Sequence, residues 1–312
     1  MRTARLGPSD TLWGWFFVGP FLLVALVFLI FPVGYSFYLS LRETGLYASW
    51  FDEFGGMKFV GLGNYIDLLH SPVFWYSLLA TMIYAVLFIP AMIAASLALA
   101  LTLSGTRLPG YRSLRGLFFL PHVFDAFVVG VIWLLLFNPG AGPISAFFRF
   151  FGIDWFTKNG FIDNPITILP SIAFAMVLKT MGFGMVLFLT ALNNIPEDIF
   201  EAADIDGATG SQKLFRVTIP LLRPMILFLS VTGLVGVLNS FTEVYALTNA
   251  TGGPAFSFFG NTVQAARVSG FHMYRFFDES FYGHAAAMSF LMLIIALVIA
   301  FVNFRLLGRE KA

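Results

Sequence analysis

Long apolar stretches separated by shorter polar or mixed segments set the pattern of this chain. Six of them, at about 13–40, 74–103, 114–137, 165–193, 225–249 and 283–307, each reach the roughly 20 residues that a membrane-spanning helix needs. The pattern predicts an all-α integral membrane protein with six transmembrane helices. Spans and connections use the whole sequence, so residues 1–312 read as a single transmembrane domain with no soluble domain left over. The connections at about 41–73, 138–164 and 250–282 contain Gly, Pro and aromatic residues, and none is large enough to fold alone. There is no internal repeat and no low-complexity tract.

The first stretch is read as a retained helix rather than a signal peptide. Its apolar run from Trp13 to Tyr38 exceeds the roughly 7–15 residues of a signal-peptide core. The small-residue triplet Gly34-Tyr35-Ser36 also lies inside the run rather than after it.

Between the fourth and fifth stretches lies a polar island, residues 194–224. Asn194-Ile195-Pro196-Glu197 reads as a helix start, with Asn as cap, Pro in the first turn and Glu three residues on. Glu197, Glu201 and Asp204 then share one face, and Ile199, Ala202 and Ala203 another. Gly207 is placed to end this helix in the left-handed conformation. A second short helix is expected from about Ser211 to Thr218, burying Leu214 and Phe215, until Pro220 and Pro224 break it. Two short helices with small residues at the turn suit the docking of another protein better than a plain connector.

Composition agrees with the membrane reading. The chain is 58% hydrophobic and 11% charged, with mean hydropathy +0.84, against roughly 25% charged for soluble domains. A net charge of +1 gives no reason to expect nucleic acid. With no cysteine, disulfides, thiolate catalysis and cysteine-bound metals are excluded.

Charge sets the orientation. On the side of the termini lie Arg2, Arg5, Arg107, Arg112, Arg115, Lys213, Arg216, Arg223, Arg305, Arg309 and Lys311. The longer opposite loops hold only Arg42, Lys58, Arg149, Lys158, Arg267 and Arg275. The positive-inside rule puts both termini, and the 194–224 island, in the cytoplasm. Trp13, Trp15, Trp75 and Tyr76 open the first two spans, where such rings favour the headgroup level.

Charges inside spans cost roughly 2.5–3.5 kcal/mol each at mid-helix, so they mark candidate pathway positions. Asp125 lies with His122 in the third span, Lys179 in the fourth and Glu243 in the fifth. Asn239, Ser240, Thr242 and Glu243 make the fifth span the most polar. With Phe241 and Tyr245 they offer hydroxyl partners and a flat apolar surface, as a sugar requires. Asp125 and Lys179 fit a structural ion pair equally well. Gly182, Gly184, Pro121 and Pro170 fit either bending between states or ordinary helix packing.

The segment Glu201-Ala202-Ala203-Asp204-Ile205-Asp206-Gly207-Ala208, continuing to Phe215, Ile219-Pro220 and Pro224, closely resembles the EAA loop of ATP-binding-cassette importer permeases. Further pieces resemble the carbohydrate branch of that family, in the superfamily of the maltose and glycerol-phosphate systems. They are Gly19-Pro20, Phe31-Pro32 and Tyr35 to Ser40 in the first span, and Phe59-Val60-Gly61-Leu62-Gly63-Asn64-Tyr65 before the second. Arg115 to Pro121 with Trp133 and Phe137 resembles the third span. Phe241, Glu243, Tyr245 and Leu247-Thr248, then Gly252-Gly253-Pro254, resemble the fifth, and Gly283 with Ala285-Ala286-Ala287 the start of the last. The Leu-Thr and Gly-Gly-Pro feature is more similar to the first of the two permeases in such systems. Here Asn249-Ala250-Thr251 widens the family's usual gap, and the large periplasmic insertion of the enteric maltose permease is missing.

The resemblance implies a type I importer permease fold in a prokaryotic cytoplasmic membrane. It implies a second homologous permease, two ATPase subunits that bind ATP and Mg, an extracytoplasmic solute-binding protein and a sugar-like solute. It places Glu201, Ala202, Ala203, Asp206, Gly207, Phe215, Ile219 and Pro220 at the ATPase, and leaves Asn239, Phe241, Glu243, Tyr245 and Asp125 as path candidates. No G-x-x-x-x-G-K-[ST] occurs, in keeping with nucleotide bound elsewhere and a non-catalytic chain without a cofactor of its own. The rival from pattern alone is an ion-coupled secondary transporter of a polar solute, using Asp125, Glu243 and Lys179. It leaves the docking island unexplained. A membrane enzyme has less support still, with no H-E-x-x-H or G-x-S-x-G motif.

Overall fold

The structure, a computed structural model, describes residues 8–43, 57–104, 110–153 and 160–307. Of the charges used for orientation, Arg2, Arg5, Arg107, Lys158, Arg309 and Lys311 lie outside these. The chain is mostly helical. In order come α1 (Pro8–Ala25), α2 (Phe31–Ser40), α3 (Gly63–His70), α4 (Pro72–Ser104), α5 (Tyr111–Val123), α6 (Ala126–Leu136), α7 (Pro143–Phe150) and α8 (Ile168–Asn193). Then follow α9 (Glu197–Ile205), α10 (Gly210–Lys213), α11 (Ile219–Leu221), α12 (Arg223–Leu238) and α13 (Thr242–Leu247). A hairpin of β1 (Ala255–Phe258) and β2 (Asn261–Gln264) precedes α14 (Ser269–Asp278) and α15 (Tyr282–Leu307).

Among the described residues, four helical stretches are long and apolar enough to cross a membrane: Trp13–Ser40, Pro72–Ser104, Ile168–Asn193 and Tyr282–Val302. Two bent pairs raise the number to six if each pair is one span. The third expected span, 114–137, is such a pair, with α5 and α6 meeting at 97°. Pro121 removes a backbone donor near the end of α5, Phe124 is extended (ψ 144°), and Asp125 caps a new helix by accepting the Phe127 N–H at 2.8 Å. The fifth expected span, 225–249, is also corrected. Its helix ends at Leu238, three residues lie outside any helix, and α13 follows.

Two π-helical turns interrupt the α-helices, at Leu26–Ile30 and Leu214–Thr218. Each stands two residues before a proline, Pro32 and Pro220. In each, the residue before the proline donates five residues back, Phe31 to Leu26 and Ile219 to Leu214. The wider turn relieves the ring's clash with the carbonyl four residues earlier. Hence Pro220 does not end the second island helix. Helical structure runs on to Leu221, and the 64° bend comes between Leu221 and Arg223.

The chain groups into two compact units. One takes the chain up to His70 with Phe276–Leu291, the other Ser71–Arg275 and the chain from Met292. In the first, α1 carries apolar side chains exposed around its circumference, as suits lipid. The Asn64 amide donates to the carbonyls of Ser40 and Arg42, both at 2.8 Å, and the Tyr65 hydroxyl donates to Ser40 Oγ at 2.8 Å. Arg42 donates to the Met57 carbonyl at 2.6 Å and lies over the Tyr38 ring. The Asn-Tyr pair of the sequence motif therefore ties down the end of the first span.

In the second unit α8 packs along α4 and α5, α12 packs on α4, and α13 on α6. At Gly182 a Cβ would stand 1.9 Å from the Phe118 carbonyl oxygen. This glycine is therefore a point of backbone contact between α8 and α5, the packing alternative of its two readings. The hairpin turns through Phe259 and Gly260, both at positive φ (45° and 78°). Tyr76 of α4 contacts the rings of Phe256 and Phe258 and donates to the Ala265 carbonyl at 2.7 Å. The Ser269 N–H donates to Thr81 Oγ1 at 2.8 Å. These bonds seat the 255–269 segment on α4.

Gly182→Ala is expected to cost about 1–3 kcal/mol by overpacking. Gly116→Ala, where a Cβ meets nothing within 4 Å, should stay within about 0.5 kcal/mol. Thermal unfolding of the two variants in detergent checks the difference.

Candidate functional site

Two places collect the predicted site residues. The first is the polar island. The structure corrects its start: Asn194 closes α8, and α9 begins after Pro196 without a side-chain cap. Pro196 is held extended (φ −57°, ψ 138°), so the chain leaves one helix and enters the next within two residues. The reciprocal capping box sits instead at Thr209 and Gln212, opening α10. Between the helices the Ala208 N–H reaches the Ala203 carbonyl at 2.9 Å and the Gly207 N–H reaches Asp204 at 3.0 Å. That pattern is a Schellman turn, and it requires Gly207 at φ +73°. An ion pair from Lys213 to Asp204 ties the two helices together.

The turn fixes what is displayed. Ala203 is buried, while Glu201, Ala202, Asp206 and Gly207 are exposed. Ile219 and Pro220 are half-buried. Phe215, expected inside, is 67% exposed, and Ile205 is 87% exposed. Phe215 lies within the π-turn Leu214–Thr218. The island thus exposes two large apolar side chains as well as Glu201 and Asp206, and such apolar surface is costly to leave in water.

The second place is the break between α12 and α13. Asn239 ends α12, is exposed, and its amide donates back to the Val235 carbonyl at 2.8 Å. Ser240 is buried and donates to Glu243 Oε1 at 2.6 Å. Tyr84 of α4, fully buried, lies against both Ser240 and Glu243. Phe241 stacks on Tyr274 of α14 with ring centres 4.1 Å apart, and Tyr245 meets Tyr274 edge-on at 5.5 Å. Phe127 approaches Tyr245 at 6.5 Å, so Asp125, exposed at the start of α6, stands two residues from the cluster's edge. Four of the five path candidates therefore meet at one helix break, and Asp125 adjoins it.

Asp125 and Lys179 form no ion pair among the described residues. Asp125 caps a helix, and Lys179 lies in electrostatic range of His122, which stacks on Phe183. Sequence reasoning missed Tyr84 and Tyr274. Tyr84 was visible as a hydroxyl inside an apolar run, but only packing brings it to Glu243.

No family model matches the chain. It is 32% identical over 293 residues to the lactose transport system permease protein LacF of Rhizobium radiobacter, covering 93% of this chain and 92% of that protein. It is 30% identical to the probable ABC transporter permease protein YesP of Bacillus subtilis, over 98% of this chain and 93% of YesP. The chain belongs to the ABC transporter permeases. This permease is also 31% identical to the sn-glycerol-3-phosphate transport system permease protein UgpA of Shigella flexneri, over 92% of this chain and 91% of UgpA. In fold it matches a bacterial ABC transporter involved in the import of the acidic polysaccharide alginate. The TM-score is 0.76 at 21% identity, covering 97% of this chain and 99% of that one. A multi-pass membrane transport subunit, rather than an enzyme, is what these relatives and the apolar helices establish.

Beside the break, His272 of α14 is 2% exposed and accepts from the Arg267 Nε at 3.0 Å on its Nδ1. Burial, then the Arg267 charge, push its pKa down to about 3 from 6.5. The folded permease therefore binds fewer protons here than the unfolded chain. The stabilisation is complete above pH 6.5 and is lost as pH falls toward 3. At pH 5 the loss is about 2 kcal/mol. The permease should melt lower at pH 5 than at pH 7.5, and His272→Gln should flatten that difference.

Proposed function

We propose that this permease forms one half of the translocation path of an ATP-driven importer, paired with a second homologous permease. The solute is a sugar or sugar-like molecule delivered by an extracytoplasmic binding protein. Relatives named for lactose and for sn-glycerol-3-phosphate transport support the solute class. A second solved chain of the same fold, 21% identical, is from an alginate transporter in complex with a pentasaccharide-bound periplasmic protein, which supports the delivery step. In this reading each bent pair crosses the membrane once, which makes six spans; the distribution of Lys and Arg supports both termini in the cytoplasm, and residues 1–312 work as one translocation domain.

The observation that carries the coupling role is the Schellman turn displaying Glu201, Ile205 and Phe215. In this reading, Glu201, Ala202, Ala203, Asp206, Gly207, Phe215, Ile219 and Pro220 form the docking element for the ATPase. ATP and Mg are bound by that partner, and this chain contributes no cofactor. Closure of the ATPase dimer moves the island as a unit, because the Lys213–Asp204 pair and the Schellman turn hold α9 and α10 together. The solute acts through unequal affinity for the inward and outward states.

The break at Asn239–Phe241 is the part of the path suited to a sugar. Phe241, Tyr245 and Tyr274 offer stacked and edge-on ring faces, and Glu243 and Asn239 offer polar contacts. Asp125 borders this surface.

Glu201→Arg with Gly207→Val should abolish co-purification of the ATPase while the second permease still co-purifies. An unchanged ATPase yield would exclude the island as the dock. Glu243→Ala should lower uptake by roughly tenfold or more, since a hydrogen bond to a charged group contributes about 1.5–3 kcal/mol. Glu243→Gln, which keeps an acceptor for Ser240, should retain assembly and separate charge from packing. Normal uptake in vesicles by Asn239→Ala and Glu243→Ala together would remove this cluster from the path.

A further inference from the structure

A cavity of about 540 Å³ lies where α6, α7 and the start of α8 meet. Its wall is Trp133, Phe137, Ile144, Phe148, Phe161 and Phe174, almost wholly apolar. The two hydroxyls at its edge are already committed. Ser171 donates to the Phe161 carbonyl at 3.2 Å and Thr167 to the Gly160 carbonyl at 3.4 Å. With both hydroxyl protons spent, the wall offers a sugar almost nothing but apolar surface, so the cavity does not belong to the solute path.

Its position decides the occupant. Trp133 and Phe137 stand at the end of one crossing segment, and Phe174 in the opening turns of the next, so the cavity is at the boundary between hydrocarbon and headgroups. The connecting helix, α7, is too short to cross a membrane. It turns Ile144 and Phe148 toward the cavity and leaves Phe147, Phe150, Phe151 and Ile153 exposed, at 59%, 84%, 61% and 44%. Arg149, also exposed, sits in its last turn. A one-sided apolar helix with a basic residue beside its aromatic wedge is the pattern of a segment lying in the membrane surface.

We infer that this cavity is a lipid site, holding one acyl chain of an anionic phospholipid whose phosphate is met by Arg149. The aromatic wall encloses the chain, the exposed phenylalanines of α7 rest among neighbouring lipids, and Arg149 supplies charge at headgroup depth. The leaflet, extracytoplasmic, rests on the orientation proposed above. The site itself depends on neither ATPase coupling nor the solute.

The test uses the detergent-purified permease with whatever partners co-purify. After washing, phosphatidylglycerol and phosphatidylcholine are added back separately, and bound lipid is counted by native mass spectrometry. One phosphatidylglycerol per copy is expected, with at least fivefold preference over phosphatidylcholine. Ile144→Trp, which fills the cavity, should lower retention at least fivefold, and Arg149→Gln should remove the headgroup preference. Equal retention by wild type and Ile144→Trp would overturn the site. A variant with Trp133 as its only tryptophan gives a second measurement that does not depend on the cavity-filling variant. Phosphatidylglycerol with brominated chains should quench it saturably. Linear quenching would mean bulk lipid only, and protection of Trp133 in the complex but not in the isolated chain would mean that a partner subunit fills the cavity. Either result would overturn the proposal.

Discussion

Backbone polar groups at membrane depth must find partners within the protein, because hydrocarbon offers none. Most features of this permease that depart from a plain helix answer that constraint. Where α5 gives way to α6, Asp125 takes up a donor freed by the break. Where α12 ends, the Asn239 amide turns back to the Val235 carbonyl and Ser240 bonds Glu243. Where Pro32 withholds a donor, the helix widens by one residue rather than opening. The polar residues within apolar stretches thus serve first as partners at helix ends.

That same constraint gathers the candidate path. A helix break inside a membrane exposes polar groups, and those groups are the only ones there able to meet a polar solute. The break at residues 239–241 lies against α4 and α14, which bring Tyr84 to Glu243 and Tyr274 to Phe241. A ring surface and a carboxylate then share one small region, although their residues are spread over 190 positions of sequence. The polar island follows a different rule. It lies outside the spans, its helix ends are closed by a Schellman turn and a capping box, and so it can display apolar side chains on a small rigid element.

The apolar cavity behind α7 marks a third environment of the same molecule. The hydroxyls of Ser171 and Thr167 at its edge donate to backbone carbonyls and its walls are aromatic, so it differs chemically from the break at residues 239–241. Candidate path, polar island and apolar cavity each follow from where backbone polarity is spent.

The sequence by itself determined the class of protein, the positions of the apolar stretches and the place of the polar island. Those features are local: composition, run length and a contiguous motif carry them. It also marked Gly207, since a helix end followed by small residues calls for a left-handed position. It did not determine the 97° bend at Asp125, the end of α12 at Leu238 or the exposure of Phe215. A run of apolar residues reads alike whether its helix is straight or broken, and a π-turn changes register without any change in composition. Whether Gly182 bends or packs, and whether Asp125 pairs with Lys179, was decided by tertiary structure. Phe118 meets Gly182 across a helix interface, and Asp125 is taken up as the cap of a helix that begins only because the span breaks there.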